Sequence, residues 1–94
     1  MSGELLLVAI VEMVDGHEVA GQRYEDAVLG LLRRHGGTLE RRMRGVEPAG
    51  EVHVIRFRDR GGYESFMADP ERLALRAELG EAAPRARVLE VRDV

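Results

Sequence analysis

Leu5 to Val14, LLLVAIVEMV, is an apolar run broken only by Glu12. It is too short to cross a membrane, which takes about 20 apolar residues. Val8, Ile10, Val11 and Val14 are β-branched and suit a strand. Asp15-Gly16 then stops the run as a turn. Alternation along a strand divides it into Leu5, Leu7, Ala9, Val11 and Met13 on one face and Leu6, Val8, Ile10, Glu12 and Val14 on the other. Both sets are apolar apart from Glu12, so the strand is expected to be covered on both sides.

The rest of the chain has to supply those covers within 94 residues, which make a single domain, 1–94. Domains of this size often gain stability by association. No cysteine is present, which excludes disulfides and thiolate metal sites. The opening Met1-Ser2-Gly3-Glu4 lacks the basic flank of a signal peptide, so a cytoplasmic protein is expected. The net charge is -3, with 14 basic residues, all arginine, against 17 acidic ones. No basic block with interleaved aromatics occurs, and nucleic acid is not an expected partner.

After the first strand, Asp15-Gly16-His17-Glu18 reads as a capping box. Ala20, Tyr24, Ala27, Val28, Leu31 and Leu32 then recur at helical spacing up to Gly36-Gly37. Gly21 is expected to mark an irregular first turn of that helix. Thr38 to Val46 is a polar strand, Glu47-Pro48-Ala49-Gly50 a turn, and Glu51 to Arg58 the returning strand of a hairpin. On the returning strand Val52, Val54 and Arg56 share one face and Ile55 and Phe57 the other; His53 shares the second parity but is expected at the strand boundary. Asp59 caps a helix carrying Tyr63, Phe66 and Met67, and Asp69-Pro70 restarts it as far as Gly80. Ala86 to Val94 is a last strand. The order β-α-β-β-α-β is the ferredoxin-like α+β pattern, a four-stranded antiparallel sheet with its helices on one face. The first and third strands should be central.

This topology leaves one sheet face bare. Leu6, Val8, Ile10, Val52, Val54 and Val88 are expected there, and burying each large aliphatic side chain is worth roughly 1.5–3 kcal/mol. A second copy laid over the face, giving a two-fold homodimer, is the expected solution. Glu12, Arg42 or Arg44, Arg56 and Glu90 are expected on the same side. There they either converge as polar groups in an apolar pocket or pair with one another across the dimer. In the first case arginine suits a carboxylate or enolate oxygen, and a buried Glu12 would serve as base.

The chain here resembles the dimeric α/β-barrel proteins, through the first apolar strand, YEDAVLGLLRRHGGTLERRMRG (24–45), VIRFRDRGGYESFMADPE (54–71) and the final VLEV. The likeness runs nearly end to end and is greatest to a branch of undefined function related to antibiotic-biosynthesis monooxygenases. It implies fold and dimer more firmly than reaction, since the wider family also holds muconolactone isomerases and haem-dependent members. Several cofactor-independent monooxygenases of the family are associated with a Trp and Asn constellation. This chain contains neither residue, which counts against that activity.

His17, beside the end of the first strand, is the second candidate base, against a plain helix-start role. Tyr24 is a candidate substrate contact, against a core role. His35 suits a helix C-terminus. No histidine spacing fits a metal site, and no metal or cofactor is expected. The Gly36-Gly37 and Gly61-Gly62 pairs belong to no phosphate-loop motif, and neither Ser2 nor Ser65 sits in a nucleophile elbow. The expectation is a homodimer with a small-molecule pocket between sheet and helices, acting without a cofactor on a small acidic or polycyclic metabolite. The alternative is a non-catalytic ligand-binding or scaffold module.

Overall fold

Strand β1, Leu5–Glu12, runs through the middle of the molecule with the alternation its sequence dictates. Leu5, Leu7, Ala9 and Val11 are buried, while Leu6 and Val8 are half-buried and Ile10 is exposed. The structure is a computed structural model and describes residues 3–47 and 49–94. Pro48 of the expected turn lies outside the described residues, as do Met1 and Ser2.

Helix α1, Glu18–Leu29, follows β1. Its N-cap is His17, whose side chain makes no capping bond; the Gly16 N–H donates instead to Glu18. Gly21 lies inside the regular helix, not at an irregular turn. A Cβ there would stand 2.5 Å from the Met13 sulfur and 3.1 Å from Pro84, so a side chain would have to displace the Met13 thioether just beyond β1. A short 3₁₀ turn, Leu32–His35, ends at Gly36 in the left-handed conformation. Strands β2, Gly37–Arg44, and β3, Gly50–Phe57, form the hairpin.

Helix α2, Arg60–Met67, is capped by Asp59, which accepts from the Gly62 N–H at 2.8 Å. Helix α3, Pro70–Leu79, is capped by Asp69, which accepts from the Glu71 N–H at 2.8 Å. Strand β4, Arg85–Val91, closes the chain. The sheet order is β2-β3-β1-β4, all antiparallel, with β3 and β1 central. This is the ferredoxin-like α+β fold. The core lies on one face only, where Leu5, Leu7, Ile55 and Phe57 meet Tyr24, Val28, Leu31, Leu32 and Phe66. No helix among the described residues is long and apolar enough to cross a membrane.

The register corrects two faces. Val88 pairs with Ala9 and therefore lies on the helix side, not the bare one; Leu89, opposite Val8, and Val91, opposite Leu6, take the bare side. In β2 the pairing slips between Leu39 and Arg41, one residue too many for a regular ladder. Beyond it Arg42 pairs with His53 and Arg44 with Glu51, so both arginines turn toward the helices. A regular ladder from Thr38 onward would have sent them to the bare face, as alternation alone predicts.

Candidate functional site

Four residues of β3 face the helices: Glu51, His53, Ile55 and Phe57. The first two carry polar groups onto the apolar side of a central strand. The Glu51 side chain is wholly buried, and an unpartnered charge there would be costly. The bulged β2 supplies its partners. Arg42 grips both carboxylate oxygens, from Nε at 2.8 Å and Nη2 at 3.0 Å, and Arg44 Nε donates at 2.9 Å. Arg42 also reaches Asp26 of α1 at 2.7 Å, tying sheet to helix. Burial pushes the Glu51 carboxyl up, but the hydrogen bonds from Arg42, His53 and Arg44 outweigh it and hold the group at about 2.

His53 is among the most buried side chains of the protein, not a boundary residue. Its Nε2 lies 2.8 Å from Glu51 Oε1, an arrangement that fixes the ring. Its Nδ1 points the other way, 4.0 Å from Glu25 Oε1 on α1. Burial, then the charge of Glu51, raises the Glu25 carboxyl to about 7; Arg42, Arg72 and Arg76 restrain the rise. Glu51, His53 and Glu25 thus form a chain of titratable groups from the ionised end to one poised near neutrality.

That chain ends at a cavity of about 70 Å³ between sheet and helices. Tyr24, Glu25 and His53 line it with Ala9, Ile55 and Phe66, and α3 contributes Arg72 and Arg76. Arg76 donates to the Pro84 carbonyl at 3.0 Å. Arg72 lies over the Phe66 ring, 5.5 Å from its centre, and donates through Nη1 to the Met67 carbonyl. Its Nε–H is buried and has no partner. A buried donor left open is costly, and an acceptor oxygen of a ligand would satisfy it. The site therefore brings a near-neutral carboxyl, a buried imidazole and a guanidinium with one unpartnered N–H to the same cavity. A groove of about 260 Å³ between α1 and α3, walled by Ala20, Ala27, Leu75 and Leu79, shares Tyr24 with the cavity.

Of the residues singled out from sequence, Tyr24 alone lines the cavity. Arg42 stands behind it as the partner of Glu51. Glu12 is exposed at the end of β1, in an open depression with Arg85. His17 is exposed beside the start of α1. Arg56 is on the bare face, donating to Glu40 at 2.8 Å and 3.3 Å. Glu90 pairs with Leu7, so it lies on the helix side, where Arg60 donates to it at 2.9 Å on the surface. No depression described here joins Glu12 to Arg56.

His35 bridges Ser65, at 2.8 Å, and Asp69, at 2.6 Å. This Ser-His-Asp chain holds the 3₁₀ turn to α2 and α3, and Ser65 borders none of the depressions described here. Sequence reasoning missed Glu25, Glu51, His53 and Arg72. The available signal was Glu51 and His53 sharing the parity of Ile55 and Phe57.

No family model matches the sequence. No curated protein matches it either. Solved structures do. PA3566 from Pseudomonas aeruginosa superposes with a TM-score of 0.79 over 100% of this chain and 97% of its own, at 20% identity. SnoaB, a cofactor-independent oxygenase from Streptomyces nogalater, gives 0.71 over 98% and 96%, at 14% identity. A candidate antibiotic biosynthesis monooxygenase from Bacteroides thetaiotaomicron gives 0.82 over 98% and 90%, at 10% identity. This chain shares their fold. At these identities the likeness reaches to the backbone and no further, and the side chains of the cavity have to be judged on their own chemistry.

Proposed function

We propose that this protein is a homodimer that binds a small metabolite between sheet and helices and removes a proton from it without a cofactor. One observation carries the reading: Glu25, with its carboxyl near 7, and Arg72, whose buried Nε–H has no partner among the described residues, line the same cavity. A general base works best when its pKa lies near the working pH. Glu25 takes a proton from an acidic C–H beside a carbonyl. The C–H electron pair becomes the C=C bond of the enolate as the carbonyl π pair moves onto oxygen, and Arg72 donates to that oxygen as its charge develops. His53, fixed by Glu51, stands behind Glu25.

The cavity alone has room for about two water molecules at roughly 30 Å³ each, so it admits the reacting end of the ligand. The α1–α3 groove takes the apolar body. The two together approach the size of an ordinary small-molecule site, about 300–1,000 Å³. A small acidic or polycyclic metabolite fits this division. That SnoaB, a cofactor-independent oxygenase, shares the fold supports a reaction that needs no cofactor.

The test is a thermal-shift screen of carbonyl and phenolic metabolites, followed by exchange of the ligand's acidic hydrogen in D₂O, read by NMR. The wild type is expected to bind and exchange. Arg72→Met should lose the shift. Glu25→Gln should bind but exchange at least about 100-fold more slowly, the usual weight of general-base catalysis. A ligand that binds at Arg72 and never exchanges would defeat the catalytic reading and leave the non-catalytic binding module.

A further inference from the structure

At the end of the sheet where β2 begins and β3 ends lies a second depression, of about 320 Å³. It is walled by Arg33, Arg56, Arg58, Thr38, the Gly36–Gly37 backbone and Glu4. We propose that it binds the phosphate group of a small phosphate monoester. It shares no residue with the cavity of the proposed function; Arg56 and Thr38 belong to the bare face that reading covers with a second copy, and Arg33 and Arg58 lie beyond its paired residues.

Three guanidinium groups meet one lining carboxylate here, in a chain whose net charge is -3. Arg56 is held by Glu40. The side chains of Arg33 and Arg58 make no hydrogen bond or ion pair among the described residues, unlike the arginines that clamp Glu51, Glu90 and Asp69. Their position is set by local structure. Arg33 comes from the 3₁₀ turn and Arg58 follows the last residue of β3. The Arg58 stem lies along Gly36, with its Cδ 3.5 Å from where a Cβ would stand, and the left-handed Gly36 backbone favours glycine on its own account.

Two unpaired forks lining one depression, with the Thr38 hydroxyl, match the several oxygens of a dianion better than the two of a carboxylate. The depression has the volume of roughly ten water molecules, far more than a phosphate group takes. The remainder leaves room for an organic body beside the phosphate, so an ester fits as well as the free ion. The phosphate is held by side chains, consistent with the lack of any phosphate-loop motif.

The test is calorimetric titration of the full chain with phenyl phosphate, inorganic phosphate and benzoate, with amide NMR to locate binding. Phenyl phosphate is expected to bind roughly tenfold or more tighter than benzoate or inorganic phosphate, to shift Gly36, Gly37 and Thr38, and to weaken at high salt. The exposed double variant Arg33→Ala/Arg58→Ala should lose roughly tenfold or more in affinity, the weight of one or more charge-assisted hydrogen bonds. Equal affinity for benzoate, or affinity retained in the double variant with its circular dichroism unchanged, would overturn the site. Inorganic phosphate binding as tightly as the ester would overturn the ester assignment. Glu25→Gln should leave phosphate binding unchanged, which separates this result from the fate of the proton-abstraction reading.

Discussion

Glu25 and Glu51 are two buried carboxylates driven in opposite directions by their neighbours. Glu51 has three donors and stays ionised; Glu25 has burial and a like charge, and titrates at about 7. A carboxyl whose pKa is raised on folding stabilises the fold below its unfolded value, and that contribution is lost as pH rises through the folded value. For Glu25 the window runs from 4.5 to about 7. At about 1.4 kcal/mol per pH unit the loss is about 3 kcal/mol. Urea denaturation between pH 5 and 8 should therefore show the wild type losing stability relative to Glu25→Gln, whose side chain stays neutral throughout. Parallel curves would show that Glu25 titrates normally. The polarity of this region was only half legible in the sequence. Glu51 and His53 declared themselves by parity with Ile55 and Phe57, but their partners did not. Arg42 and Arg44 face inward because of the surplus residue in β2, and hydrophobic alternation carries no trace of a bulge in a strand as polar as TLERRMR. Arg72 was hidden for a different reason: an arginine on a helix that buries no residue fully reads as an ordinary solvated charge.

The elements themselves were written more openly. The β1 run, the Asp59 and Asp69-Pro70 starts and the Gly36 stop all act through local chemistry that a sequence displays. Close approach between elements is not displayed, and the glycines show it. Gly62, in the first turn of α2, has no room for a side chain: a Cβ would collide with the His35 carbonyl oxygen. Gly62→Ala improves helix propensity by about 1 kcal/mol, yet should destabilise the protein by about 1–3 kcal/mol through overpacking against backbone that cannot yield. Thermal denaturation of the variant checks this, and a raised Tm would mean that α2 can slide away from the 3₁₀ turn.

At the scale of the molecule, the sheet has a finished side and an unfinished one. Leu6, Val8, Val52 and Val54 are half-buried on the unfinished side, Ile10 remains 44% exposed and Leu89 40%. Covering them would recover several kcal/mol in a domain whose whole stability is about 5–15 kcal/mol. Ile10→Asp places a charge at the centre of this face, and if a second copy covers it, as we propose, sedimentation should find the wild type a dimer and the variant a monomer or an aggregate. A soluble dimer of unchanged affinity would remove the face from the assembly. The bulge near Glu40 acts on both sides of the sheet at once. Paired without slippage, the same residues would turn Met43 inward and Arg42 and Arg44 outward, stripping Glu51 of both guanidinium partners. A single surplus peptide unit thus keeps two cations where a buried anion waits, so a change of length in that short strand would undo the interior chemistry of the sheet.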